Sequence, residues 1–223
     1  MFNKVTENYL KCLFECQENQ EGYIKPFYLS RIFQVTPAAV SDMLKRLAED
    51  AYIEYQPYKG AKLTEKGKKI GQNMVRRHRI WELYLHQVLK FPWDVVHEEA
   101  ERLEHASSDQ LIDRLDQELG FPNFDPHGEP IPSRSGQFPP PIKSVVLSDC
   151  VVGKSYHVHR VEDHDASFLQ YLEQIGVFIG VLIEVISRRS FDGAMSIKIN
   201  THQEIITSFG TCRIFVQEVK DET

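Results

Sequence analysis

The sequence predicts an α+β multidomain chain with an N-terminal winged helix-turn-helix, a helical middle and a C-terminal SH3-like small β-barrel. Three observations predict it. Apolar residues recur at helical spacing up to about Asp50, and two β-prone segments around a glycine turn follow them. Three further helical segments come next, and then a proline-dense stretch beyond which short strands replace helices. A length of 223 residues suits two or three small domains.

Taken in order, Val5, Tyr9, Leu10, Leu13 and Phe14 repeat at helical spacing between Val5 and Cys16, which reads as an amphipathic helix. After a turn around Gly22, Pro26 to Phe33 reads as a short helix. Val35-Thr36-Pro37 places a cap residue and a proline at the start of a third, and Val40, Met43, Leu44 and Leu47 carry it to about Asp50. Tyr52 to Tyr55 and Ala61 to Thr64 flank Tyr58-Lys59-Gly60 and read as a hairpin, the wing. Thr64 opens a long helix to about Leu89, and Trp93 to Glu104 and Asp109 to Leu119 read as two more. Seven of the 11 prolines lie between Pro122 and Pro141, a linker composition. Beyond it, strands are expected at 144–159, 180–187, 196–199, 204–208 and 212–219, with one helix near 167–175. The expected domains are residues 1–72 for DNA binding, 73–132 for the helical middle, 133–143 for the linker and 144–223 for the barrel.

Composition excludes several classes. With 42% hydrophobic and 26% charged residues the chain can bury a core, and no apolar run approaches the length that spans a bilayer. Met-Phe-Asn-Lys is followed by a periodic segment containing charges rather than by an apolar export signal, so a cytoplasmic protein without a membrane partner is expected. The cysteines Cys12, Cys16, Cys150 and Cys212 form no C-x-x-C pair and read as reduced thiols; Cys12 and Cys16 share one helical face, which offers a ligand pair but reads first as buried packing.

The net charge of -6 hides an asymmetry. From Met43 to Arg79 there are 10 Lys or Arg against 4 Asp or Glu, whereas from Ile80 to Pro130 there are 3 against 12. A basic block can follow phosphates, and an acidic, histidine-bearing block suits divalent cations. In a helix-turn-helix the second helix approaches base edges with small residues and anchors to phosphate with basic ones. Here those are Thr36, Pro37, Ala38, Ala39, Ser41 and Asp42, then Lys45 and Arg46, with Lys59 and Lys62 on the wing touching flanking backbone. An ordinary helical hairpin with a solvated basic face is the bland alternative.

His97, Glu101, Glu104 and His105 lie at spacings of three and four, on one face of a helix whose opposite face carries Val96, Ala100 and Leu103. Carboxylates this close repel unless a cation intervenes, and Glu oxygens with imidazole nitrogens suit a divalent first-row metal. His78 and Glu82 form a second pair, at i and i+4, on the preceding helix. The bland alternative is a solvated acidic face.

Arg76-Arg77-His78-Arg79, then Val96 to His105, then Asp125-Pro126-His127-Gly128-Glu129-Pro130-Ile131-Pro132 together resemble the diphtheria-toxin-repressor family of metal-dependent transcriptional regulators, over nearly the full chain. Val161 to Asp165 ahead of Phe168 to Leu172 is similar to that family's SH3-like domain, which also occurs in ferrous-iron transport proteins. The resemblance implies a homodimeric repressor of manganese or iron uptake genes that binds a palindromic double-stranded DNA operator when a divalent metal joins the N-terminal helix to the dimerisation domain. It implies a primary metal site of Asn8, Glu101, Glu104 and His105. It implies an ancillary site of His78, Glu82 and His97, joined by Asp125 or His127 and by Asp165 or Asp163. Iron-type members carry cysteine at the position of Glu101 and methionine at that of Asn8, and manganese-type members carry carboxylates at both. The oxygen-rich set therefore points to Mn(II), with Fe(II) as the alternative.

Two other readings stand beside this one. Paired Glu/His sites also activate water in two-metal hydrolases, which metal-dependent turnover of a phosphoester or peptide library would reveal. A winged-helix regulator of small organic ligands would bind its operator indifferently to chelators.

Overall fold

The computed structural model describes residues 3–19, 22–162 and 165–219. They belong to two compact units, one made of Met1–His78, Glu101–Arg114 and Pro132–Phe138, the other of Arg79–Ala100, Leu115–Ile131 and Pro139–Thr223.

The first unit opens with helices α1 (Lys4–Asn19), α2 (Pro26–Ile32) and α3 (Pro37–Glu49), followed by the antiparallel hairpin β1 (Ile53–Gln56) and β2 (Gly60–Leu63). Thr36 accepts from the Ala39 amide at 3.2 Å, and Pro37 occupies the first turn, where its missing N–H costs nothing. Leu10, Leu13, Leu29, Leu44 and Leu47 are buried together, each worth about 1.5–3 kcal/mol on leaving water. Val5, expected on the same apolar stripe, is exposed. The wing is pinned to the chain before α2, because Ile24 and Ala61 exchange amide hydrogen bonds of 2.8 and 2.9 Å. Gly60 (φ +121°) makes that approach feasible, since a Cβ there would sit 2.2 Å from the Ile24 carbonyl oxygen.

Helix α4 (Glu65–Gln87) runs from the first unit into the second. Its Gly71 lies so near α1 that a Cβ would come 2.4 Å from the Leu10 carbonyl oxygen. Helix α5 (Val96–Leu103) and helix α6 (Asp109–Glu118) follow. The proline-rich stretch is docked over its first part: Gln72 Nε2 donates to the Gly136 carbonyl at 2.6 Å, Arg134 pairs with Asp113 at 2.7 Å, and Phe138 stacks on Phe14.

In the second unit, β3 (Val145–Val146), β4 (Ser155–Val161), β5 (Leu182–Arg188), β6 (Met195–Ile199), β7 (His202–Ile206) and β8 (Ile214–Glu218) form an antiparallel sheet ordered β3-β8-β4-β5-β6-β7. Alternation puts Tyr156 and Val158 inside, and a bulge after Val158 keeps Val161 inside as well. Helix α7 (Ala166–Gln174) adds Phe168, Leu169 and Leu172 to this core. The single strand expected over 144–159 is interrupted by a 3-10 turn at Leu147–Asp149 and by Gly153 at φ +85°, because the Asp149 to Lys154 stretch turns instead of extending. The short helix α8 (Ser208–Thr211) was not expected; Thr207 caps it by accepting from the Gly210 amide.

Candidate metal centre and DNA-facing helix

Within the first unit, ligand atoms of Glu101, Glu104 and His105 lie within 4.8 Å of one another. The helix expected to carry all three stops at Leu103, so Glu104 and His105 occupy the turn that follows. Arg77 holds that turn, donating to the carbonyls of Glu104 (3.3 Å) and Ser107 (2.8 Å), and the Ser107 hydroxyl donates to the Leu103 carbonyl. The Glu104 side chain is thereby fully buried rather than displayed on a solvated face.

Helix α1 completes the cluster from its buried side. A carboxylate can only accept, so the 2.7 Å contact between His105 Nδ1 and Glu7 Oε2 puts the ring proton on Nδ1. In the neutral ring this leaves the Nε2 lone pair 3.4 Å from Glu104 Oε1. His78 Nδ1 donates to the other oxygen, Glu104 Oε2, at 2.6 Å. Lys11 places its Nζ 2.6 Å from Glu101 Oε1 and 2.9 Å from Glu104 Oε2. Burial would lower the Lys11 pKa, but the charges of Glu104, Glu15 and Glu101 and the hydrogen bond to Glu101 overcome this and raise it, so the side chain is a cation.

Asn8 Oδ1, Glu104 Oε1 and His105 Nε2 are buried acceptors with no hydrogen-bond partner. Each such orphan costs about 1–3 kcal/mol, and a cation between Glu104 and His105, whose ligand atoms lie together, would remove the penalty on those two. Two carboxylates and an imidazole, with no sulfur, suit a divalent first-row ion, so the residues present fit a metal. Glu7 and Lys11 escaped sequence reasoning; the signal was two charges, at i and i+4, beside Asn8 on an otherwise apolar helix face.

The second unit holds another cluster, Glu82, Asp125 and His127, all buried and with ligand atoms within 4.8 Å of one another. His127 Nε2 lies 3.1 Å from the Trp93 carbonyl, an acceptor, so Nε2 carries the proton and the Nδ1 lone pair faces Glu82 Oε2 at 3.9 Å. Glu82 Oε1 is 3.1 Å from His97 Nδ1, while Asp125 Oδ1 accepts from the amides of His127 and Glu129. The turn carrying Asp125 and His127 is fastened to β4. Val161 donates its amide to the His127 carbonyl at 2.9 Å, Arg160 pairs with Glu129 at 2.7 Å, and the Phe124 ring meets His159 edge-on. Asp165 has a different occupation, capping α7 through the amides of Ser167 and Phe168 and pairing with Arg213 at 3.1 Å. Asp163 lies outside the described residues.

On α3, Thr36, Pro37, Ala38, Ala39, Asp42, Lys45 and Arg46 are exposed and Ser41 is half-buried. The Ser41 hydroxyl donates to the Pro37 carbonyl, and Lys45 pairs with Asp42 at 3.0 Å. Lys59 and Lys62 are exposed on the wing, Lys59 Nζ lying 4.2 Å from the centre of the Tyr23 ring. At the wing tip Tyr58 is fully exposed with φ +67°, a feature that no periodicity announces.

Residues 1–61 match the N-terminal DNA binding domain of iron dependent repressors, residues 64–133 their metal binding and dimerisation domain, and residues 145–218 the FeoA domain. The chain is 32% identical over 109 residues to the HTH-type transcriptional regulator MntR of Oceanobacillus iheyensis, covering 49% of this chain and 73% of that one. It is 33% identical over 127 residues to the iron-dependent repressor IdeR of Mycobacterium tuberculosis, covering 57% of this chain and 55% of that one. Among solved structures, a manganese-dependent transcriptional repressor in complex with manganese superposes with a TM-score of 0.88 at 34% identity, over 96% of this chain and 100% of that one.

Proposed function

The chain belongs to the iron-dependent repressor family and is a metal-dependent, DNA-binding transcriptional regulator, and from that premise we propose how its own residues sense the metal. Asn8 from α1 with Glu101, Glu104 and His105 forms the activating site. Glu82, Asp125 and His127, with His97, form an ancillary one. His78 serves the first site through its hydrogen bond to Glu104. The single observation that carries this reading is the set of three buried, partnerless acceptors on Asn8, Glu104 and His105 within one compact unit.

When bound, the ion supplies positive charge that these acceptors share. Glu7 orients the imidazole, and the Arg77 grip on the Glu104 carbonyl holds the turn in place. The ion is Mn(II), with Fe(II) as the alternative, because the donor set is oxygen-rich. Metal binding selects one placement of α1 and of the helices packed on it, so operator affinity rises by a population shift, without catalysis. The chain works as a cytoplasmic homodimer on a palindromic operator, with α3 in the major groove, Lys45 and Arg46 at phosphates and the wing lysines beside them. It is a regulator rather than an enzyme, and among the described residues no helix is long and apolar enough to cross a membrane.

The test is titration of labelled promoter DNA with protein at fixed Mn(II), before and after chelation. Glu104→Ala and His105→Ala should abolish the metal dependence. Unchanged metal-stimulated binding in both would dispose of the site.

A further inference from the structure

We propose that Lys11 is an internal competitor of the metal, its ammonium holding the Glu101 and Glu104 carboxylates until a divalent cation displaces it, so that this one side chain sets the metal concentration at which the regulator responds. The inference rests on the reading that these carboxylates are ligands, and it adds a residue that has no ligand atom for a metal.

A lysine is almost never fully buried unless it is paired, and Lys11 is 5% exposed. Its partners are Glu101 Oε1 at 2.6 Å and Glu104 Oε2 at 2.9 Å, one oxygen from each carboxylate. Glu104 is completely buried, so this is not an exposed pair of negligible worth. The ammonium and a divalent ion therefore draw on the same two negative charges. Both cannot be accommodated at full strength, since three positive charges would then face two carboxylates in a site a few ångströms across.

The side chain is built to leave. An ammonium on a four-carbon stem is a compact point charge with rotatable donors, unlike a forked guanidinium that locks onto a carboxylate. Glu15 stands four residues on, one turn along α1, and its charge already acts on Lys11. It offers the ammonium a carboxylate outside the proposed ligand set. On the opposite side of the exchange, Asn8 Oδ1, Glu104 Oε1 and His105 Nε2 are the acceptors that Lys11 does not satisfy, and they give the entering ion a foothold. An adjacent charge shifts the cation affinity of a site by about one to three powers of ten, which is the range over which Lys11 would tune the response.

The experiment compares Mn(II) binding to wild type, Lys11→Met and Lys11→Arg, with free Mn(II) followed by electron paramagnetic resonance. Lys11→Met keeps the stem and removes the charge, and should bind Mn(II) about ten- to a hundredfold more tightly, while Lys11→Arg, whose guanidinium locks onto the carboxylates, should bind it no more tightly than wild type. A second measurement needs no variant. Acetic anhydride labelling of the wild type, read by mass spectrometry, should modify Lys11 slowly after chelation and faster at saturating Mn(II), as the ammonium leaves the carboxylates. Equal or weaker Mn(II) binding by a folded Lys11→Met, or Lys11 labelling that stays the same or falls on saturation, would overturn the proposal. Glu104→Gln separates the two levels. If wild type and Glu104→Gln titrate alike, the site assignment itself is lost; if they differ while Lys11→Met matches wild type, only the competitor role is lost.

Discussion

Replacing Glu7 by glutamine tests the local chemistry most sharply, because it alters neither size nor any proposed ligand. Glu7 is 8% exposed, and its carboxylate accepts from His105 Nδ1 at 2.7 Å, a charge-assisted bond about twice as strong as a neutral one. That bond keeps the Nε2 lone pair toward Glu104 Oε1, 3.4 Å away. The glutamine oxygen accepts from Nδ1 only as a weaker, neutral partner, and when the amide turns its NH2 toward Nδ1 the ring nitrogen must accept. In that orientation the ring proton moves to Nε2 and points at the carboxylate where the metal is to be held. Loss of such an orienting partner costs about 10- to 100-fold in metal affinity, or about 1.4–2.8 kcal/mol at 1.4 kcal/mol per decade. The assay is Mn(II) titration of Glu7→Gln followed by promoter binding across the same metal range. Both midpoints should move to higher metal by that factor. DNA affinity at saturating metal should match wild type, because α3 and the wing are untouched. A folded variant with wild-type Mn(II) affinity would refute the role given to the Glu7 charge in orienting His105.

Two further outcomes are expected. Gly128→Ala combines φ +89° with a Cβ placed 2.1 Å from the His159 carbonyl oxygen, so the turn carrying Asp125 and His127 must leave β4. The cost should be about 2 kcal/mol or more, read by urea unfolding, with metal titration losing the ancillary site and keeping the activating one. Asp165→Ala removes the α7 cap and should cost about 1 kcal/mol at neutral pH, to which loss of the part-buried pair with Arg213 adds. Hydrogen bonding to Ser167, then to Arg213, holds the Asp165 carboxyl at about 2, below its ordinary 3.8. A depressed carboxyl stabilises the fold fully above the ordinary value and loses that contribution as pH falls through the depressed one. The gap between wild type and Asp165→Ala in thermal unfolding should therefore close between about pH 4 and pH 2, and a gap unchanged at pH 2 would remove the carboxylate from the account.

Local patterns were legible wherever one element's own period carried the information. Leu10, Leu13 and Phe14 on α1, the Thr36-Pro37 start of α3 and the glycine of the wing each state a local conformation, because helix period, capping and positive φ are properties of a few neighbouring residues. The His97 to His105 stripe was legible as a set of donors but not as a geometry. A helical face was expected to present Glu104 and His105, whereas α5 ends at Leu103 and Arg77 shapes the turn that carries them. His78 and Glu82 looked like one pair at i and i+4, yet His78 bonds to Glu104 while Glu82 meets His97 and His127.

Residue types and their order along the chain therefore determined the winged helix, the helical middle, the strand-rich end and the inventory of oxygen and nitrogen donors. Only the tertiary structure decided which donors meet. Glu7 and Lys11 on α1 lie more than ninety residues from His105 and Glu104, and no periodicity spans that separation. Burial, not spacing, distinguishes an ordinary surface charge from one that orients an imidazole or occupies a carboxylate pair, and burial is set by which helices pack together.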